Sequence, residues 1–284
     1  MIRKNDSRAS GIATTKKCLQ RKCKVFRFHG EATAKCNGDE MKIPVITGTI
    51  RRRFLINFRV RLDAMRHVLP SPFEPKPHRG WGIAGICLIR LEGIHPKATP
   101  LPCGINSENA AHRFAVQWNE DGVSQIGVFI PRRDTDSLLN HIAGGRVFPG
   151  VHHRARFKVL QNGNSYDFGM SSSDNEVSVS FSGHKRTDFP MTSIFASLNE
   201  ASTFFEEGSL GYSSAAESTH YDGLLLRTEK WQVTPFHVES VHSSYFSNES
   251  RFPEGSVEFD HALLMENIPH EWHTAEELCC KEAV

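Results

Sequence analysis

From Met41 onward the chain is patterned with the two-residue period of β-strands. The segments FLINFRVRL, WGIAGICLIRL, HRFAVQW, QIGVFIP, HHRARFKVL, EVSVSFSG and LLLRTEKWQVTPFHVESV are rich in branched and aromatic residues and are bounded by Gly, Pro, Asn and Asp clusters. Successive side chains on a strand point to opposite faces, so such runs commit a chain to sheets with at least one buried face. Three short helices interrupt them. Asp63 is expected to cap DAMRHVLP, which Pro70 and Pro72 end; SLLNHIAGG runs from Ser137 to Gly144 and Gly145; SLNEASTFFEEG has Ser197 as cap, Glu200 three residues on and Gly208 as stop. The expected class is α+β, mainly antiparallel β, with a few short flanking helices.

The 284 residues, 39% of them apolar, suffice for a substantial core without disulfide or metal staples. Before Met41 the pattern is absent. Residues 1–40 read as a disordered basic extension, residues 41–275 as a single domain and residues 276–284 as a tail. Because Met41 opens the patterned part, it is the expected translation start, and peptides from residues 1–40 in the native protein would contradict that. The extension carries ten Lys or Arg against four Asp or Glu, so a chain of formal charge +2 leaves about −4 on the remainder. A mildly acidic body argues against nucleic acid as a partner. No stretch approaches the roughly 18 apolar residues of a membrane span, and no apolar region follows the N-terminal basic residues, so neither membrane insertion nor secretion is expected. Seven cysteines without framework spacing read as reduced thiols of a cytoplasmic protein. Cys18, Cys23, His29 and Cys36 lack a zinc-knuckle spacing, and neither metal nor cofactor is expected.

Polar residues able to do chemistry concentrate in SENAAHR, PRRDTDS and GGRVFPGVHHRARF. Alternation places His112 on the apolar face shared with Phe114, Val116 and Trp118, with Arg113 opposite, and His153 on the face of Ala155, Phe157 and Val159. A histidine on such a face is either a hydrogen-bonded core residue or an acid/base group. Arg132 and Arg133 end a strand, where guanidinium groups suit a carboxylate or, equally, an internal ion network. The run Arg51, Arg52 and Arg53 reads as a solvated approach to a strand. No nucleophile elbow, phosphate loop or dinucleotide fingerprint is present.

The motifs IRRRFLINFRV, GIAGICLIRL, SENAAHR, PRRDT, GGRVFPGVHHRARF, RFPEGSVEFD and LLMENIPHEWH, spanning residues 46–273, resemble a bacterial family of unknown function grouped with the acetoacetate decarboxylase-like superfamily. The resemblance implies a curved, closed β barrel or cone with a central cavity. In acetoacetate decarboxylase a lysine whose pKa is lowered by its surroundings forms an imine with the ketoacid. The matching stretch here reads Gly145, Arg146, Val147, Phe148, Pro149, Gly150, Val151, so Gly150 and Val151 stand where the lysine pair would be. Lys158, on the opposite strand face, is a poor substitute. The superfamily's acidic residue is similar to Glu108.

The expected function is binding of an acidic or carbonyl-bearing small molecule, with any lyase-like or hydrolase-like acid/base chemistry proceeding without a covalent lysine. Glu108 and His153 would move protons, and Arg132, Arg133, Arg146, His112 and His152 would bind substrate. The alternative is a non-catalytic binding or structural protein with an internal Arg–Glu–His network. A third reading, metal-assisted hydrolysis through His112, His152 and His153, lacks a metal-ligand spacing.

Overall fold

The computed structural model describes residues 25–28, 31–34, 44–98, 104–144, 149–215 and 220–279, those of 25–34 and Cys279 by their backbone. Arg146, the set Cys18, Cys23, His29 and Cys36, and most of the extension lie outside the described residues. The chain divides into two units, Met1–Asn37 and Gly38–Val284. In the first, β1 (Val25–Phe28) and β2 (Glu31–Ala34) pair as an antiparallel hairpin.

The second unit begins with β3 (Ile46–Arg61), α1 (Leu62–Val68), β4 (Glu74–Pro75), β5 (Pro77–His78) and β6 (Trp81–Pro96). It continues through β7 (Ile105–Glu120), β8 (Val123–Thr135), α2 (Leu138–Ala143), β9 (His152–Asn162), β10 (Ser165–Ser172) and β11 (Ser178–Lys185). The last elements are α3 (Leu198–Glu207), β12 (Leu210–Ser214), β13 (His220–Thr228), β14 (Thr234–Ser243) and β15 (Val257–Cys279). Residues 276–279, expected in a tail, are the paired end of β15, where Leu278 faces Tyr221.

All strands of this unit join one 13-stranded sheet that closes twice. Five strands, β15-β3-β6-β7-β8, form a shared wall whose two edges each fork. Along the edge of β15, residues Ala262–Leu264 pair with β14, whereas His270–Cys279 pair with β13. At β8, Val128 and Phe129 pair in parallel with β12, whereas Arg133–Thr135 pair in parallel with β9. One branch completes a nine-strand ring through β9, β10, β11 and β14, and the other a seven-strand ring through β12 and β13. The remaining pairings are antiparallel, and the closed, curved, mainly antiparallel structure agrees with the sequence expectation.

Alternation along the shared wall sorts side chains between the rings. Phe54, Ile56, Phe58, Ile86, Leu88, Phe114 and Val116 enter the nine-strand core, where Phe54 meets Tyr166, Phe181 and Phe236 edge-on at 4.9–5.1 Å. Leu55, Cys87, Ile89, Leu91 and Ala115 face the other way, and α3 covers them with Ala201, Phe204 and Phe205. The Ser197 hydroxyl caps α3 by accepting from Glu200 N at 3.1 Å, as the motif predicts. Ser137 caps α2 similarly. Asp63 does not cap α1: the N-cap is Arg61, whose guanidinium takes the Asp63 carboxylate instead. The run LLLRTEKWQVTPFHVESV is two strands, broken between Thr228 and Thr234 where the sheet passes from one ring to the other. Among the described residues no helix is long and apolar enough to cross a membrane.

Candidate functional site

The two faces of the shared wall carry two different polar assemblies. On the nine-strand side, Arg132 is 6% exposed and surrounded by carboxylates: Nε and Nη2 donate to Asp134 at 2.9–3.2 Å, Nη2 to Asp174 at 2.8 Å and Nη1 to Glu176 at 2.9 Å. His153 joins through Nδ1, 3.1 Å from Asp174. Burial pushes the Asp134 carboxyl up, against the pull of Arg132. Glu108 is held separately, both oxygens accepting from Arg52 Nη2 at 2.8 and 2.9 Å. Burial raises its pKa and Arg52 opposes the rise. The run of three arginines is thus solvated only at Arg51, whereas Arg52 and Arg53 turn into opposite rings.

His112 is fully buried on this side, its ring 4.5 Å from that of Tyr245 and neither nitrogen hydrogen-bonded. Desolvation, with Arg132 and Arg251 nearby, pulls its pKa down to about 3. A depressed histidine pKa means that the unfolded chain binds the proton more readily, so its contribution to stability is complete above about pH 6.5 and is lost as pH falls towards 3. Urea unfolding at pH 7 and pH 4.5 should show a smaller acid loss in His112→Phe than in the parent; an unchanged loss would contradict this assignment.

On the seven-strand side the wall leaves a cavity of about 150 Å³. Its floor follows from the register. Leu55, Cys87, Ala111 and Arg133 are neighbours across β3, β6, β7 and β8; Arg53, Ile89, Asn109 and Thr135 form the adjacent row on one side, and Asn57, Gly85 and Arg113 the row on the other. Small side chains at Cys87 and Ala111 leave space in the middle, and arginines stand around it on three strands. Ile130, Leu224, Leu226, Trp231 and Trp272 supply apolar walls, with Phe205 from α3.

Among the described residues, each arginine is oriented without a hydrogen bond to a carboxylate. Arg53 Nε lies 3.0 Å from Cys87 Sγ, and its guanidinium stacks 5.8 Å from the Trp231 ring. Arg113, 5% exposed, donates from Nη2 to Asn57 Oδ1 at 2.6 Å and lies 4.8 Å over Phe205, while its Nε has no partner. Gly85 makes that reach possible, since a Cβ there would sit 3.1 Å from Asn57 Oδ1 and 2.5 Å from Ile56 O. Arg133 Nε donates to Ser213 Oγ at 3.1 Å. Desolvation draws Arg113 and Arg133 down to about 10, which leaves both charged at neutral pH. A bulge in β8 permits this arrangement: between the pairs His112↔Arg132 and Phe114↔Phe129 the strand gains one residue, keeping Phe129 and Arg132 on the nine-strand face while Ile130 and Arg133 face the cavity.

Asn109, Asn140, Ser107, Ser209 and His152 add polar lining, and Asp134, paired with Arg132, borders the cavity. His152 Nδ1 donates to Gly150 O at 3.1 Å, so its Nε2 carries the lone pair. Desolvation and the adjacent Arg133 pull the His152 pKa down to about 3, making the ring a hydrogen-bond acceptor but a poor proton acceptor at neutral pH. Gly150 itself has φ +76°, and a Cβ on it would lie 2.6 Å from Ser213 Cβ and 3.3 Å from Arg133 Nε. The Pro149-Gly150 step therefore sits against the Arg133–Ser213 pair of the cavity wall. No lysine is among the described residues lining the cavity.

The structure thus brings Arg133 and His152 together in the cavity, and places Glu108, His112, Arg132 and His153 in the polar and core groups of the nine-strand side. Arg53 and Arg113 complete the cavity set but carried no distinguishing sequence signal. Arg113 is separated from His112 by one step of alternation, which assigns its face but not its lack of a counter-charge.

No protein-family model matches the chain, and no curated protein sequence does. Solved structures do. Acetoacetate decarboxylase from Legionella pneumophila superposes with a TM-score of 0.53 at 10% identity, over 84% of this chain and 88% of that one. An acetoacetate decarboxylase-like enzyme from Sphingomonas wittichii gives 0.52 at 9% identity, over 84% and 94%. The enduracididine biosynthesis enzyme MppR, complexed with pyruvate, gives 0.51 at 11% identity, over 84% and 91%. The chain has the acetoacetate decarboxylase-like fold that its motifs imply.

Proposed function

We propose that this chain binds a small organic acid or related carbonyl-bearing metabolite in the seven-strand cavity, and holds it by ion pairing rather than through a covalent amine. The observation that carries the reading is the convergence of Arg53, Arg113 and Arg133 on one cavity, none in contact with a carboxylate among the described residues. Buried charge is costly unless paired, so an arrangement of this kind is completed by an anion. Arginine presents a planar fork of donors that matches a carboxylate. A neighbour of the same fold is complexed with pyruvate, a small 2-oxo acid, which agrees with that choice.

The internal Arg–Glu–His network is the second component of this reading. Arg52–Glu108 and Arg132–Asp134–Asp174–His153 are internally paired, and we assign Glu108, Arg132 and His153 to holding the nine-strand ring rather than to proton transfer. Calorimetric titration with short carboxylic acids and their amides tests the reading. Acids should bind at least about tenfold more tightly than the isosteric amides, the loss expected for one charge-assisted hydrogen bond. Equal binding of acid and amide, or no binding of any acid, would overturn it.

The absence of imine chemistry has its own test. Lysine at position 150 needs a left-handed backbone and a Cβ within 2.6 Å of Ser213 Cβ, so Gly150→Lys should lose about 1–3 kcal/mol of stability. It should also give no borohydride-trapped adduct with pyruvate; a stable variant that forms the adduct would contradict the account.

A further inference from the structure

Three cations around one cavity ask for more than one negative charge. Resting on the acid-binding reading above, we propose that the ligand is a short dicarboxylate, one carboxylate held by Arg53 and Arg113 and the other by Arg133. A single carboxylate would leave at least one guanidinium of the cavity, where Arg113 is buried and Arg53 and Arg133 are half-buried, without an ion-pair partner. Neither acidic residue near these arginines makes an ion pair with one of them among the described residues: both oxygens of Asp134, which borders the cavity, accept from Arg132, and Asp222 acts on the Arg133 charge only from a distance.

The register separates Arg53 from Arg133, and Arg113, although its strand is next to that of Arg133, joins Arg53 through its side chain. Arg53 and Arg113 also share a second recess of about 30 Å³, whereas Arg133 is not among the residues bordering it. Arg53 on β3 and Arg133 on β8 stand three strand spacings of about 4.8 Å apart, one row out of register, with Cys87 and Ala111 on the floor between them. Ile89, Ile130 and Leu224 add apolar lining to the same cavity. Separated positive ends with an apolar span fit two carboxylates joined by methylene or carbonyl carbons. They do not fit a phosphate, whose charges gather on one centre. A cavity of about 150 Å³ accepts a ligand of roughly six to ten heavy atoms, the size of a dicarboxylic acid of about four to six carbons.

The test is calorimetric titration of the full chain with succinate and glutarate against butyrate and pentanoate, which match them in length and lack one charge, and with inorganic phosphate. The dicarboxylates should bind at least about tenfold more tightly than the monocarboxylates, and Arg133→Gln should reduce them to the monocarboxylate level. Butyrate binding as tightly as succinate in the unaltered protein would overturn the dicarboxylate assignment while leaving acid binding intact, whether or not the variant folds. Phosphate binding more tightly than either dicarboxylate would overturn it in favour of a compact anion. Failure of every acid to bind would overturn both readings.

Discussion

Arg132→Ala is expected to cost about 3–5 kcal/mol of folding stability, the penalty for removing one partner of a buried ion pair and stranding the other. The stranded group is Asp134, 0% exposed, both of whose oxygens accept from Arg132. Asp174 and Glu176 are more exposed and can recover water, so the loss is concentrated at Asp134. A double variant, Arg132→Met with Asp134→Leu, should regain most of that stability, because replacing a buried pair by apolar residues of similar size is often neutral. Chemical denaturation of the two variants decides this. A single variant within about 1 kcal/mol of the parent would show that the network does not support the fold.

Arg53→Met should behave oppositely, keeping or raising the stability of the ligand-free protein while weakening acid binding by about ten- to hundredfold. The binding estimate is the 1.5–3 kcal/mol of a charge-assisted hydrogen bond. The stability estimate follows from what Arg53 touches: Cys87 Sγ at 3.0 Å, Met265 Sδ at 3.9 Å and the Trp231 face, partners that a thioether packs against at least as well. Removing the guanidinium also relieves Arg113, whose charge Arg53 disfavours. A site that costs stability for the sake of a ligand has this signature. Thermal unfolding and calorimetry on one preparation measure both halves, and a destabilised variant with undiminished acid affinity would contradict the assignment.

Much of the fold was legible because alternation survives burial on both faces. In HRFAVQW the even positions reach the nine-strand core, and Arg113 and Ala115 the other side, as a period of two requires. β10 was not legible, since Tyr166, Phe168 and Met170 alternate with Ser165, Asp167 and Gly169 in a segment of ordinary loop composition. In β15, Asp260, His261 and Glu266 interrupt the apolar pattern: His261 is buried against Asp260 and Asn57, and Glu266 takes Lys185. The double closure was hidden because the forks at β8 and β15 are pairing choices between distant segments, which local pattern does not encode.

The site was legible in part. The histidine and arginine clusters drew attention to the right strands, and the Gly150-Val151 replacement pointed to the cavity edge. Alternation assigned no face where it mattered: three consecutive arginines, Arg51 to Arg53, carry no alternation of polarity, and the bulge in β8 decides which of Arg132 and Arg133 reaches the cavity. A lone count along the strand cannot anticipate an inserted residue.

The most direct test of the central claim is a crystal structure of the protein soaked with glutarate. Carboxylate oxygens are expected within hydrogen-bonding distance of the Arg53, Arg113 and Arg133 guanidinium groups in the seven-strand cavity. Glutarate bound instead at Arg132 or Glu108, or a cavity empty at saturating acid, would contradict it.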